Sequence, residues 1–167
     1  MDSFFRFAGT STFLSATNRG MLVVQSNNQL LKPVAANLTL GGNLQLIQGA
    51  NPGTVSAQTT VALGEAVING QLSLAEGSGA HTEALTSGGF LKAGSFLDTN
   101  SGIETFTLSG FGTFTAKGAV TFAASAGTDS IVINNPDFNA GSFSFTGGST
   151  AQNVALSSVD FHSGGGE

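Results

Sequence analysis

In Val55-Ser56-Ala57-Gln58-Thr59-Thr60-Val61-Ala62-Leu63 the side chains alternate, with Val55, Ala57, Val61 and Leu63 in one phase and Ser56, Gln58 and Thr60 in the other. A period of two is the geometry of a strand, whose successive side chains point to opposite faces. One apolar and one polar face predict a half-buried strand, the pattern of an antiparallel sheet wet on one side. Leu38, Leu40, Leu44 and Leu46 hold one phase across Gly41-Gly42, which predicts a long strand bent at the glycines.

Turn chemistry suggests how such strands connect. In Ala66-Val67-Ile68-Asn69-Gly70-Gln71-Leu72-Ser73-Leu74, Asn-Gly matches the positive-φ pair of a type I′ turn, predicting a hairpin. A second hairpin is predicted between Glu104 and Ser125, turning at Lys117-Gly118. In it Phe106, Leu108, Phe114 and Ala116 share a face, Val120, Phe122 and Ala124 return, and Phe111 points the other way. Further strands are expected at Ser130–Ile133, before the Asn134-Asn135-Pro136-Asp137 turn signal, and at Ser142–Thr146. A change of phase between Val154/Leu156 and Val159/Phe161 suggests a bulge near Ser157-Ser158.

No window keeps helical periodicity for three turns; single turns at His81–Leu85 and Asn28–Lys32 are the strongest such signals. Gly110–Thr115 echoes Gly141–Thr146, but two matches without a fixed period do not make a solenoid. The expected fold is all-β: an antiparallel β-sandwich, jelly-roll-like sheet or barrel with Gly-rich turns and little or no helix. Residues 1–167 are expected to form a single β domain, with residues 1–15 as an N-terminal arm or donated strand and 163–167 as a Gly-rich tail.

Composition narrows function mainly by exclusion. Cysteine is absent, which removes thiol catalysis and thiolate metal sites. Only 9% of residues are charged, far below the ordinary share of about 25%. Arg6, Arg19, Lys32, Lys92 and Lys117 stand singly on a chain of net charge −5, so no basic footprint for nucleic acid exists. The run Met21-Leu22-Val23-Val24 is far too short for membrane insertion, and residues 1–15 lack the pattern of a signal peptide. Fourteen Phe occur without Tyr or Trp, a bias suited to dry cores or dry subunit contacts and not to sugar recognition.

The search for chemistry yields few residues. His81 lies two residues before Glu83, and His162 follows Asp160, but no nucleophile motif accompanies either, so no catalytic residue is assigned. In Asp98-Thr99-Asn100-Ser101-Gly102-Ile103-Glu104 the oxygen ligands Asp98, Asn100 and Glu104 resemble the opening of a calcium loop. Gly102 replaces the middle ligand and no distal glutamate follows, so an ordinary turn competes with calcium there. Asp129 and the stretch Asn134–Asn139 raise the same choice.

The segment Met1-Asp2-Ser3-Phe4-Phe5-Arg6-Phe7 is either the first strand of the chain's own sheet or a strand lent to a neighbour. Phe4, Phe5, Phe7 and Phe111 are the candidate assembly residues. Long neutral strands with few edge charges are poorly defended against pairing. The expectation is therefore a non-enzymatic structural protein without an obligatory cofactor, calcium being the one candidate. Its partners would be copies of itself and other structural subunits, first in a virion (capsid, decoration or tail) and alternatively in a secreted extracellular fibre, matrix or adhesin. A calcium-dependent binding module or small enzyme is the third reading.

Overall fold

The structure, a computed structural model, describes residues 3–6, 9–18, 20–26, 30–50, 57–86, 88–110, 112–125, 127–134, 137–148, 150–157 and 159, with side chains from residue 20 onward apart from 26–36. Among the described residues thirteen strands follow one another: β1 (Ser3–Arg6), β2 (Gly9–Asn18), β3 (Leu22–Ser26), β4 (Leu30–Leu40), β5 (Leu44–Gln48), β6 (Ala57–Glu76), β7 (Ala80–Thr86), β8 (Phe90–Asn100), β9 (Ile103–Ser109), β10 (Thr113–Ala124), β11 (Ser130–Asn134), β12 (Phe138–Thr146) and β13 (Asn153–Ser157). Among the described residues there is no helix, and so none long and apolar enough to cross a membrane.

Among the described residues every strand pairing is parallel. Successive residues in one ladder are a whole coil apart: Leu22 pairs with Leu44, Leu44 with Leu72, Leu72 with Phe96, Phe96 with Val120, and Val120 with Phe143. The chain winds as a β-solenoid. The twenty-residue β6 bends through a corner, its first half pairing with β4 and β7 and its second with β5 and β8.

This corrects the expected antiparallel sandwich or jelly-roll barrel. Alternation suggested antiparallel pairing because parallel sheets usually lie covered on both faces. A solenoid is the exception: its parallel sheets face the shared core on one side and solvent on the other, which produces the same period of two.

The two expected hairpins are corrected for a related reason. Asn69-Gly70 lies inside β6 at a corner, where the register shifts between Ile68 and Gln71. The chain bends there without reversing, and Gly70 N donates to Gly42 O of the preceding coil at 3.1 Å. Positive φ occurs elsewhere, at Gly79, Gly110 and Gly127. Lys117-Gly118 is likewise internal to β10, whose register against β8 and β12 shifts at that point. The predicted turn of helix at His81–Leu85 is strand β7.

Glycines mark the corner because successive backbones close upon one another there. A Cβ on Gly42 would stand 2.8 Å from Gly20 O, and one on Gly94 would stand 2.5 Å from Asn69 O and 2.7 Å from Gly70 O.

Inside, stacked columns fill the coil. Leu40, Leu46, Leu72 and Leu74 give way along the axis to Phe96, Phe106, Phe114, Phe122 and Phe138, all fully buried. Phe114 and Phe138, partners on adjacent coils, stack at 4.8 Å with ring planes 3° apart, and Phe106 meets Phe122 edge-on at 5.0 Å. Such contacts add to the area the rings remove from water.

The backbone of β1 pairs with β3 of the same chain, Phe4 opposite Val23 and Phe5 opposite Val24. The side chains of Phe4 and Phe5, the whole of Phe7 and Phe111, and the Asp160–His162 pair lie outside the described residues.

Candidate metal centre

One corner of the solenoid departs from the apolar filling. The inward phase of β6 runs Leu72, Leu74, Glu76; that of β7 runs His81, Glu83, Leu85; β8 carries Phe96, Asp98 and Asn100; β9 carries Glu104, Phe106 and Leu108. At these two passages of the corner the last inward residue before it and the first after it are polar: Glu76 and His81, then Asn100 and Glu104. The seam begins with Gln48 and Thr59, whose side chains hydrogen-bond to each other, and continues to Asp129, whose N donates to Gln152 Oε1 at 3.0 Å.

At its centre Glu76, Glu83, Asp98 and Glu104 each bring a carboxylate oxygen within 4.8 Å of the others. Glu83 and Asp98 are each 1% exposed, and Glu76 and Glu104 are also buried. Both oxygens of Glu83 and both of Asp98 lack a hydrogen-bond donor, as do Glu76 Oε2 and Glu104 Oε1. An ionised carboxylate only accepts, so two of these groups can bond to each other only by sharing a proton.

Burial drives the electrostatics. Loss of solvation, followed by the charge of Asp98 and then of Glu76, raises the Glu83 carboxyl well above the ordinary range. Asp98 is raised in the same way, by burial and then by Glu104 and Glu76. Burial lifts Glu76 to about 7 and raises Glu104 as well. His81, paired in register with Glu104, offers little positive charge because burial lowers its pKa. Lys92 and Lys117 are exposed on the outside. Four ionised carboxylates in a dry interior would be prohibitively costly, so the corner needs protons or a cation.

Of the three residues proposed for calcium, Asp98 and Glu104 meet in this cluster. Asn100 has other work. Its Oδ1 accepts from Gly102 N at 2.7 Å, closing a turn, and its Nδ2 donates to Asp129 Oδ1 at 3.1 Å. The same Asp129 oxygen accepts from Glu104 N at 2.9 Å, so Asp129 supports the corner while its Oδ2 has no donor. Asp137 accepts from Thr113 Oγ1 and Asn139 Nδ2, each at 2.8 Å, which is turn chemistry.

Glu76 and Glu83 were missed from sequence. Their signal is phase: each is a carboxylate in the inward register of an alternating strand. Compared with protein-family models, with curated proteins and with solved structures, the chain matches none.

Proposed function

We propose that the chain is a non-enzymatic structural protein whose coils stack end to end on copies of itself, as a virion subunit of capsid, decoration or tail type. The observation that carries the reading is β13. All its residues are exposed, and Val154 and Leu156 stand 37% and 43% open although they continue inward columns. Val154 follows Phe106 and Ile131, and Leu156 follows Leu108 and Ile133.

Among the described residues β12 and β13 are each paired on one side only, as are β1 and β2. An open parallel ladder carrying apolar side chains accepts another parallel strand by β-augmentation. Pairing one end of a solenoid with the other is a head-to-tail contact, which propagates into a filament when no rotation closes it. A secreted extracellular fibre, using the same contact, is the second reading, favoured by the hydroxyl-rich outer faces of β9 and β10 at Thr105, Thr107, Thr115 and Thr121.

Light scattering and negative-stain microscopy test the proposal. The wild-type chain is expected to form rods or defined oligomers, and the V154K/L156K double variant to remain monomeric with an unchanged circular dichroism spectrum. A wild-type chain that stays monomeric at high concentration would overturn it.

A further inference from the structure

We propose that Glu76, Glu83, Asp98 and Glu104 bind one calcium ion inside the corner of the solenoid, tying adjacent coils together. The inference is independent of how the protein assembles. A cluster of acids alone would be weak ground, since exposed acids commonly occur without metal. Here the decisive observation is that Glu83 and Asp98, almost wholly enclosed, each bring an oxygen into the cluster, and none of their four oxygens has a donor. Asp129 Oδ2, on the residue that caps Glu104 N, is a further enclosed oxygen without a donor.

Donor type and size select the ion. All four ligands are hard oxygens, with no sulfur and no nitrogen among them, which favours calcium or magnesium over softer metals. Calcium binds oxygen at about 2.3–2.6 Å, so ligands on opposite sides of it stand about 4.6–5.2 Å apart. The four oxygens, all within 4.8 Å of one another, are close enough to share such an ion. Magnesium, at about 2.0–2.1 Å, requires opposite ligands near 4.2 Å and an octahedral shell that it prefers to complete with water. Each carboxylate can bind through one oxygen or two, so four suffice for the usual six to eight calcium contacts.

The placement explains what the ion would do. Glu76 precedes, and Glu83 follows, the corner at Gly77–Gly79; Asp98 precedes, and Glu104 follows, the corner at Ser101-Gly102. Bound oxygens would therefore join four strands and two successive passages of one corner, where the apolar columns are interrupted.

The test uses the full chain, unfolded in chelator and refolded in calcium chloride, magnesium chloride or EDTA, then freed of loose metal by gel filtration. Expected are one calcium per chain by elemental analysis, a melting temperature at least about 5 °C higher than in EDTA, and no comparable effect of magnesium. E83Q and D98N should lose the bound calcium, while E65Q, an exposed control, should keep it. Wild-type protein refolded in calcium that carries no metal and melts as it does in EDTA would overturn the proposal. So would retention of calcium by a folded E83Q/D98N double variant. Should either variant fail to fold, the metal content and calcium–magnesium contrast of the wild type still decide.

Discussion

Glu83 of β7 and Asp98 of β8 enter one buried corner from strands that do not pair with each other, each 1% exposed, and neither carboxylate finds a hydrogen-bond donor for either oxygen. Burial raises both carboxyls; the charge of Asp98 adds to the effect on Glu83, and those of Glu104 and Glu76 add to the effect on Asp98. The pair defines how this protein should respond to pH, to metal and to substitution.

Without calcium, stability should fall as pH rises. The folded carboxyls hold protons that the unfolded chain releases near its ordinary carboxylate range of about 4–4.5. Their contribution is complete below that range and is lost as pH climbs through the folded values, which for Glu76 means through about 7. Thermal melts in EDTA should show a falling melting temperature from pH 5 to pH 8. Calcium should restore it most at the high end, where the ligands are free of protons. A melting temperature that rises with pH in EDTA would contradict the buried cluster.

Removing one charge should have opposite effects in the two conditions. In EDTA at pH 8, E83Q or D98N relieves repulsion among buried carboxylates and should raise the melting temperature. In calcium the same variants should melt below the wild type. Scanning calorimetry of both variants under both conditions checks the crossing.

Asn100 separates a turn from a ligand. N100A removes the cap on Gly102 N and a donor to buried Asp129, at a cost of about 1–3 kcal/mol. Calcium content should be unchanged. Urea unfolding and elemental analysis measure the two effects separately.

The corner glycines make a steric prediction. G94A drives a methyl against two backbone carbonyls of the preceding coil, which cannot yield as a flexible side chain could. It should cost about 1–3 kcal/mol, as overpacking does. G88A is the control, because nothing lies within 4 Å of a Cβ placed there. Denaturant midpoints of the two variants should differ clearly.

The aromatic column can be probed at Phe122, which touches Phe96, Phe106 and Phe143 with ring centroids at 5.4, 5.0 and 5.9 Å. F122A should cost about 3–5 kcal/mol, typical of a buried ring removed from a packed core. Equilibrium unfolding in urea provides the measurement.

Alternation along the chain is enough to say which side chains turn inward. Leu38, Leu40, Leu44 and Leu46 hold one phase through a glycine corner, and Phe106, Leu108, Phe114 and Ala116 do the same; all are buried. Alternation reports the face of a strand because it is a local property of the extended backbone. It is silent on the direction of the neighbouring strand, and so a parallel solenoid reads like an antiparallel sandwich. The coil repeat left no motif either, since Leu, Phe and Val substitute for one another along a column such as Leu22, Leu44, Leu72, Phe96 and Val120. Coil length also varies, which blurs any fixed period.

Which inward residues meet depends on how the coils wind. Asp98 and Glu104 were recognisable as oxygen ligands from their local spacing, whereas Glu76 and Glu83 join them because the winding returns each coil to the same corner. That convergence depends on the pitch of the coil, a non-local quantity. It turns four separated acids into one buried, charge-deficient site.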